Sequence, residues 1–504
     1  MIAPKAQQPT ASALGRVLDA VLAVAAASVL VPMLGAALHD MSRAWDVGYY
    51  HLPFAARLGG VIGPDEYALH RMNQARFEGF PLLAELAQGV LWRITGRAES
   101  VNLVAFAAVP LFAWFLRARF RVPLAPSILG LLAIPLVHVH ATSAYVDLPA
   151  NVAASVVVLL AIEAHARVEV PDARTFAIAI GCAAVAANMK FQTHPVLIVA
   201  LAAIGARLVR PLRAGPGADR ARARRLAVAI VLALPIVFAT PLKNVVRHGN
   251  PFYPVELRVA GHVLPGADTP YAASPAWLER APRPVRFAAS LLELRIRPFT
   301  SRRRWTVDQW MDDDDGSRVG GFFNGYVVAL LAAFGALVAR GRRDRRARAA
   351  AAGFGLITVV TSVLPQSHEL RYYLDWMIVL VAICLWLACA AAEDRARVGV
   401  DAPRASVLDA LLGPRSLGVV AVAALGVVLA VTRAGYAYPS GTSFADLVRE
   451  EVPEGALAGV RDGDRVCTKR EPWALLWAAR FHGRRYALKE AQEPGDCEGF
   501  RPIE

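Results

Sequence analysis

Long uncharged stretches recur along this chain, and arginines gather between them. The apolar runs lie at about 20–38, 99–116, 122–140, 148–165, 175–190, 195–209, 226–242, 321–340, 350–366, 374–392 and 416–432. About 20 apolar residues in a helix cross a bilayer, and only helices or closed barrels satisfy their own backbone there. Repetition of such runs predicts an all-α polytopic membrane protein. The polar balance agrees: only 19% of the 504 residues are charged and 56% are hydrophobic, where a soluble domain carries about 25% charge. The same balance excludes a disordered chain.

One further run, Phe80 to Trp92, is shorter and contains Glu85 and Gln88. Its length suits a re-entrant or interfacial helix. Arginine placement supports that reading. With eleven spans and 80–92 not crossing, four clusters fall on the cytoplasmic side: Arg117 to Arg121, Arg207 to Arg225, Arg340 to Arg348 and Arg395 to Arg404. That satisfies the positive-inside rule. The N-terminus is then inside; Leu18 to Leu38 is too long for a signal h-region and forms the first span. The C-terminus is outside. The chain divides into a transmembrane module, 1–432, with outer loops at 39–98 and 243–320, and an external segment, 433–504. The net charge of +14 belongs to these topology-setting arginines. No aromatic-interleaved basic domain surrounds them, so a nucleic-acid partner is not expected.

Cys182, Cys384 and Cys389 lie in apolar runs and read as packing residues. Cys467 and Cys497 lie in the external segment, where an oxidising compartment permits either a disulfide or two free thiols. The tract Asp312 to Asp315 reads as a solvated balance to Arg302, Arg303 and Arg304.

Several ionisable residues collect at the outer ends of the spans. Asp46 follows the first span within Trp45-Asp-Val-Gly-Tyr-Tyr-His-Leu-Pro53, and Asp147 lies between two runs in Tyr145-Val-Asp-Leu-Pro149. Each reads singly as a helix-capping carboxylate; together at one membrane face they suggest a cavity or pathway. Lys190, Lys243 and Arg371 also fall outside, against the positive-inside tendency. Two readings remain open for them: snorkelling at the interface, or a cluster that holds a lipid-linked phosphate.

These motifs carry a resemblance. Asp46-x-x-x-Tyr50-His51-Leu-Pro after the first span, Glu85 in a short apolar helix and Tyr145-x-Asp147-x-Pro149 resemble the GT-C superfamily of polytopic glycosyltransferases, which use polyprenyl-phosphate sugars. The resemblance is closest to bacterial members related to protein O-mannosyltransferases and lipid A aminoarabinose transferases. Asn250-Pro-Phe-Tyr-Pro254 and His368-Glu-Leu-Arg-Tyr372 extend it, so that it covers roughly residues 15–390. It implies a GT-C-like bundle of about 11 helices in a bacterial inner membrane, with the active site facing the periplasm. It also implies an inverting transfer of a sugar to a hydroxyl of a lipid, glycan or protein. Asp46 would be the base and Asp147 the second acidic position, with Lys190, Lys243 and Arg371 on the donor phosphate and Tyr50, His51, Glu85, Tyr145 and His368 around the substrates. Branches of the family differ in needing a divalent metal ion; Asp46, Asp147 and His51 are the weak candidates for its ligands. Val47 stands where members often carry a second acid, which weakens a metal at Asp46. The segment 433–504 matches no pattern. Two other functions use similar lipids: a flippase or transporter, for which inverted halves with broken midplane helices are expected, and an O-antigen ligase or polymerase, for which the Arg-rich loop 243–320 speaks.

Overall fold

The computed structural model describes residues 13–167, 170–213, 217–259, 261–269, 274–295, 305–307, 318–398, 410–432, 440–492 and 494–503. The Asp312–Asp315 tract lies outside them. All eleven apolar runs are helical. By length and hydropathy, six helices among the described residues suffice to cross a membrane: Ala13–His39, Ala98–Phe120, Asp147–Ala166, Phe191–Arg213, Leu370–Asp394 and Pro414–Val431. A bent pair, Asp219–Val237 with Ala239–His248, adds a seventh if it is one span.

Two runs are broken where the sequence supplies a reason. The run 122–140 is not one helix but two, Leu124–Leu132 and Pro135–His140. Pro135 forces the residue before it out of the helical region, and Ile134 is extended at φ −86°, ψ 112°. The run 226–242 bends by 55° next to Phe238. A broken helix leaves backbone groups unpaired in an apolar layer, and neighbouring side chains must satisfy them. Asn188 does so: its amide donates to the carbonyls of Ile236 and Val237, each at 3.1 Å, and its Oδ1 accepts from the Thr240 backbone at 3.1 Å and hydroxyl at 2.9 Å.

Two helices form the axis of the bundle. The apolar windows of Asp147–Ala166 and Leu370–Asp394 are 94% buried, against 33–44% for the other spans. Asn151 joins their N-terminal ends, accepting from the Asp375 backbone at 3.2 Å and donating to the Asp147 carbonyl at 2.8 Å. The most protected helices therefore begin at Asp147 and just after Arg371.

The run 80–92 forms the amphipathic helix Leu83–Thr95, with Glu85 and Gln88 buried. It packs on Leu52–Leu58 at a contact only glycine permits: a Cβ on Gly59 would lie 2.2 Å from the Gly89 carbonyl oxygen. Gln88 donates to the Ala144 carbonyl at 2.7 Å, tying this helix to the turn that carries Asp147.

The C-terminal segment is built into the first loop. Strand β1 (Tyr67–Ala68) lies in that loop, β2 (Arg465–Thr468), β3 (Ala487–Glu490) and β4 (Arg501–Pro502) in the segment, and the parallel sheet runs β1-β3-β2-β4. Asp40 accepts from the backbones of Ser440 and Gly441, and Glu99 from that of Phe444 at 2.9 Å. Trp473 covers Gly48, where a Cβ would meet its ring at 2.5 Å. Cys467 and Cys497 form a disulfide, which decides between the two readings of these thiols. A closed loop of about 30 residues contributes roughly 3–4 kcal/mol by chain entropy. Alkylation of the unfolded protein without reductant is expected to modify three cysteines, and five after reduction; five without reductant would show that the bond does not form.

At this seam Glu490 is buried, accepting from the Asn73 amide at 3.2 and 3.3 Å, with His70 Nε2 at 3.8 Å. Burial pushes the Glu490 carboxyl up to about 7 and the His70 imidazole down to about 4. Between about pH 4.5 and 6.5 the docked pair thus holds one proton, on Glu490, and the undocked pair also holds one, on His70. Docking then takes up no net proton, and this pair adds no pH slope. Glu490→Gln removes one side of the balance. Docking of that variant is expected to strengthen as pH rises from about 4 to 6.5, as the undocked His70 loses its proton. His70→Asn should instead weaken docking from about pH 4.5 to 7, because undocked Glu490 ionises first. Hydrogen exchange in β1 and β3 across this range reads both slopes, and identical profiles in the two variants would refute the balance.

Candidate functional site

Asp46 stands at the start of a single π-turn, Val47–His51, which leads directly into Leu52–Leu58 with Pro53 in its first turn. Such turns occur often at functional sites because the extra residue re-aims the side chains beside it. Here the Asp46 side chain is 22% exposed and its Oδ2 lies 3.3 Å from Arg371 Nη1. Arg371 itself is almost buried, in the 3₁₀ turn Leu370–Tyr373 that opens the second axial helix.

Several groups fix that guanidinium. Nη2 donates to the Tyr372 hydroxyl at 2.9 Å, and Nε lies 3.8 Å from Glu369 Oε2. Glu369 is fully buried and also accepts from Gln366 at 3.1 Å and Arg318 at 3.4 Å. A second ion pair stands beside the first: Lys190 Nζ donates to Asp147 Oδ1, with both side chains largely buried. The Tyr372 ring lies between the two cations, 4.5 Å from Lys190 Nζ and 4.8 Å from Arg371 Cζ. Two carboxylates and two cations thus form one assembly around one aromatic ring.

A cavity of about 870 Å³ opens beside it. Asp46, Arg371, Arg318 and Arg43 line it, with Thr142 and Ser143 on one side and Ser440 and Thr442 of the C-terminal segment on another. Charged groups and hydroxyls around a concave opening of this size suit a polar, anionic or sugar-bearing ligand.

Behind Asp46 is an aromatic layer. His51 and Glu85, both buried, meet at 2.9 Å. The Tyr50 ring lies 4.3 Å from His51, and Tyr145 lies 5.3 Å from His51 with Arg371 Cζ 5.8 Å above its own ring. Burial, and then the Asp46 charge, holds the Tyr50 hydroxyl well above its ordinary pKa, so it remains a neutral phenol.

The structure therefore brings together Asp46, Asp147, Lys190, Arg371, Tyr50, His51, Glu85 and Tyr145. His368 is buried three residues before Arg371, its carbonyl accepting from Ser290 at 2.6 Å. Lys243 is placed elsewhere: it donates to the Glu78 carbonyl at 2.5 Å, on a helix held to that loop by Asn244 donating to the Gly79 carbonyl at 2.8 Å. Tyr372, Glu369 and Arg318 are additions. The first two flank Arg371 in its own motif, where adjacency was the available signal; Arg318 gave none.

The donors present do not fit a metal ion. Among the described residues no group of three or more His, Cys, Asp or Glu side chains is placed to hold one. Asp46 and Asp147 face cations, and His51 Nδ1 faces Glu85.

No protein-family model matches the chain, and no curated protein matches its sequence. Solved structures do match. ArnT from Cupriavidus metallidurans bound to undecaprenyl phosphate aligns with a TM-score of 0.51 at 16% identity, over 97% of this chain and 90% of that one. The apo state of the same protein gives 0.51 at 15%, over 97% and 89%. At these identities the likeness concerns the fold alone: the chain has an ArnT-like fold.

Proposed function

We propose that the protein is an inverting glycosyltransferase that moves a sugar from a polyprenyl-phosphate donor to an acceptor hydroxyl at the outer face of the membrane. The observation that carries this reading is the Asp46–Arg371 pair on the wall of the cavity, with Lys190–Asp147 beside it. The fold supports it, since a similar fold holds undecaprenyl phosphate in ArnT.

The chemistry follows from the charges. The donor leaves as a phosphate, already a weak base, so the reaction needs no strong acid. A fixed guanidinium and an ammonium would hold that phosphate and stabilise the charge it gains. Arg371 cannot serve the phosphate and Asp46 equally. When donor phosphate engages the guanidinium, Asp46 is released from its cation and is free to accept a proton. It then takes the acceptor hydroxyl proton as that oxygen attacks the anomeric carbon from the face opposite the phosphate. One displacement inverts the anomeric centre. Asp147 holds Lys190 in place, and Ser440 and Thr442 bring the C-terminal segment to the wall of the same cavity.

The test is transfer by the purified protein from a synthetic polyprenyl-phosphate sugar, with the anomeric configuration of the product read by NMR. Retention would exclude single displacement. Orientation has its own test. Trp45 is half exposed at the cavity end of the bundle, and Ala118 is exposed at the other end of its helix. In intact cells an impermeant thiol reagent is expected to label Trp45→Cys and to miss Ala118→Cys. The reverse pattern would place the site inside.

A further inference from the structure

A second hollow lies on the side of the bundle, between Asp147–Ala166, His194–Arg213 and Arg345–Val363. It has a volume of about 570 Å³. The axial helix leaves the Asp46 assembly at Asp147, and His165 on the hollow's rim is 18 residues further on, about 27 Å away at 1.5 Å per residue. This is the opposite end of the bundle from the transfer site.

The walls are small: Ala161, Ala200, Ala203 and Ala352 leave the space that larger side chains would fill. Gly353 makes the floor tight, since a Cβ there would meet Ile162 at 2.5 Å. Polarity is graded along the hollow. One end holds Arg345, Arg348 and His165; the other ends at Leu356 and Ile357. From Arg345 to Ile357 the helix rises about 18 Å, which is most of the length of an acyl chain.

The two arginines are exposed and unbalanced. Their neighbour Arg346 pairs with Asp394 at 3.5 Å, but among the described residues neither Arg345 nor Arg348 has an acidic partner. Asp344 is engaged as the cap of the helix, accepting from the Arg346 backbone at 3.1 Å. A groove that is apolar along its length and cationic at its mouth, in the wall of a membrane-spanning bundle, is complementary to an anionic amphiphile.

We infer that this groove is a binding site for an anionic phospholipid, whose phosphate sits between Arg345 and Arg348 and whose acyl chain lies along the alanine-lined wall. The inference is independent of the transfer reaction.

Full-length protein in detergent is titrated with dioleoyl phosphatidylglycerol and, separately, dioleoyl phosphatidylcholine, and bound lipid is counted by native mass spectrometry. Phosphatidylglycerol is expected to bind one copy preferentially. Arg345→Gln/Arg348→Gln should weaken it about thirty-fold, each arginine near an anionic lipid contributing roughly a factor of five. Ala352→Phe, which fills the groove and keeps both charges, should remove the bound copy. Equal binding of the two lipids, or undiminished phosphatidylglycerol on the double variant, would overturn the assignment. So would a change of oligomeric mass in Ala352→Phe, which would make the groove a self-interface. If Ala352→Phe does not fold, the double variant decides alone, because its two substitutions are at exposed positions.

Discussion

Asp46→Asn is expected to lower turnover by about 10²–10⁴-fold, the usual contribution of a general base, or about 3–5 kcal/mol in the barrier. The substitution keeps the side chain's shape and leaves Arg371 held by Tyr372 and Glu369. Donor affinity should therefore persist, and the loss should fall on kcat. Single-turnover transfer, run beside equilibrium binding of the donor, separates the two. Wild-type transfer by Asp46→Asn would sink the assignment of the base. A loss of donor affinity equal to the loss of rate would instead make Asp46 a binding residue.

Lys190→Ala should be as costly in a different currency. Asp147 is buried and its side chain is only 2% exposed, so removing its cation strands a buried carboxylate without its ion-pair partner. Breaking a buried pair from one side destabilises by about 3–5 kcal/mol. The double variant Lys190→Ala/Asp147→Asn removes the stranded charge and should recover most of that loss. It should not recover donor binding, for which the ammonium itself is required. Thermal unfolding in detergent gives the first comparison and donor titration the second. If the double variant melts no higher than Lys190→Ala, the pair is not what stabilises this end of the bundle. If it binds donor normally, Lys190 does not touch the phosphate.

What the sequence disclosed, it disclosed through cost. Asp46, Asp147, Lys190 and Arg371 were visible because ionisable groups at the ends of apolar helices are expensive and need partners. The structure pairs them two by two. Lys243 looked the same by that criterion, yet it bonds the Glu78 carbonyl in the last turn of the helix Arg71–Gly79; a lysine at a helix end has several ways to be satisfied, and sequence position does not choose among them. Tyr372 could not be singled out, because an interfacial tyrosine is ordinary until two cations are seen against one ring. Pro135 was in plain view inside 122–140, but hydropathy averages over a proline, so the run read as one helix. Strand β1 is two residues long, too short to show an alternation. Its partner lies in a segment that resembled nothing, so neither the sheet nor its attachment to the first loop was legible.

That sheet has a bearing on how the protein is made. His70 in the first loop and Glu490 near the chain's end are 420 positions apart, and Trp473 packs on the turn that follows Asp46. While the ribosome works through the helices, the loop that carries Asp46 waits without its cover. Every apolar helix can be in the bilayer before the strand that completes the loop has been synthesised. The surroundings of Asp46 are thus completed only after the helices, and a product released before Glu490 would be a membrane bundle with that cavity unfinished.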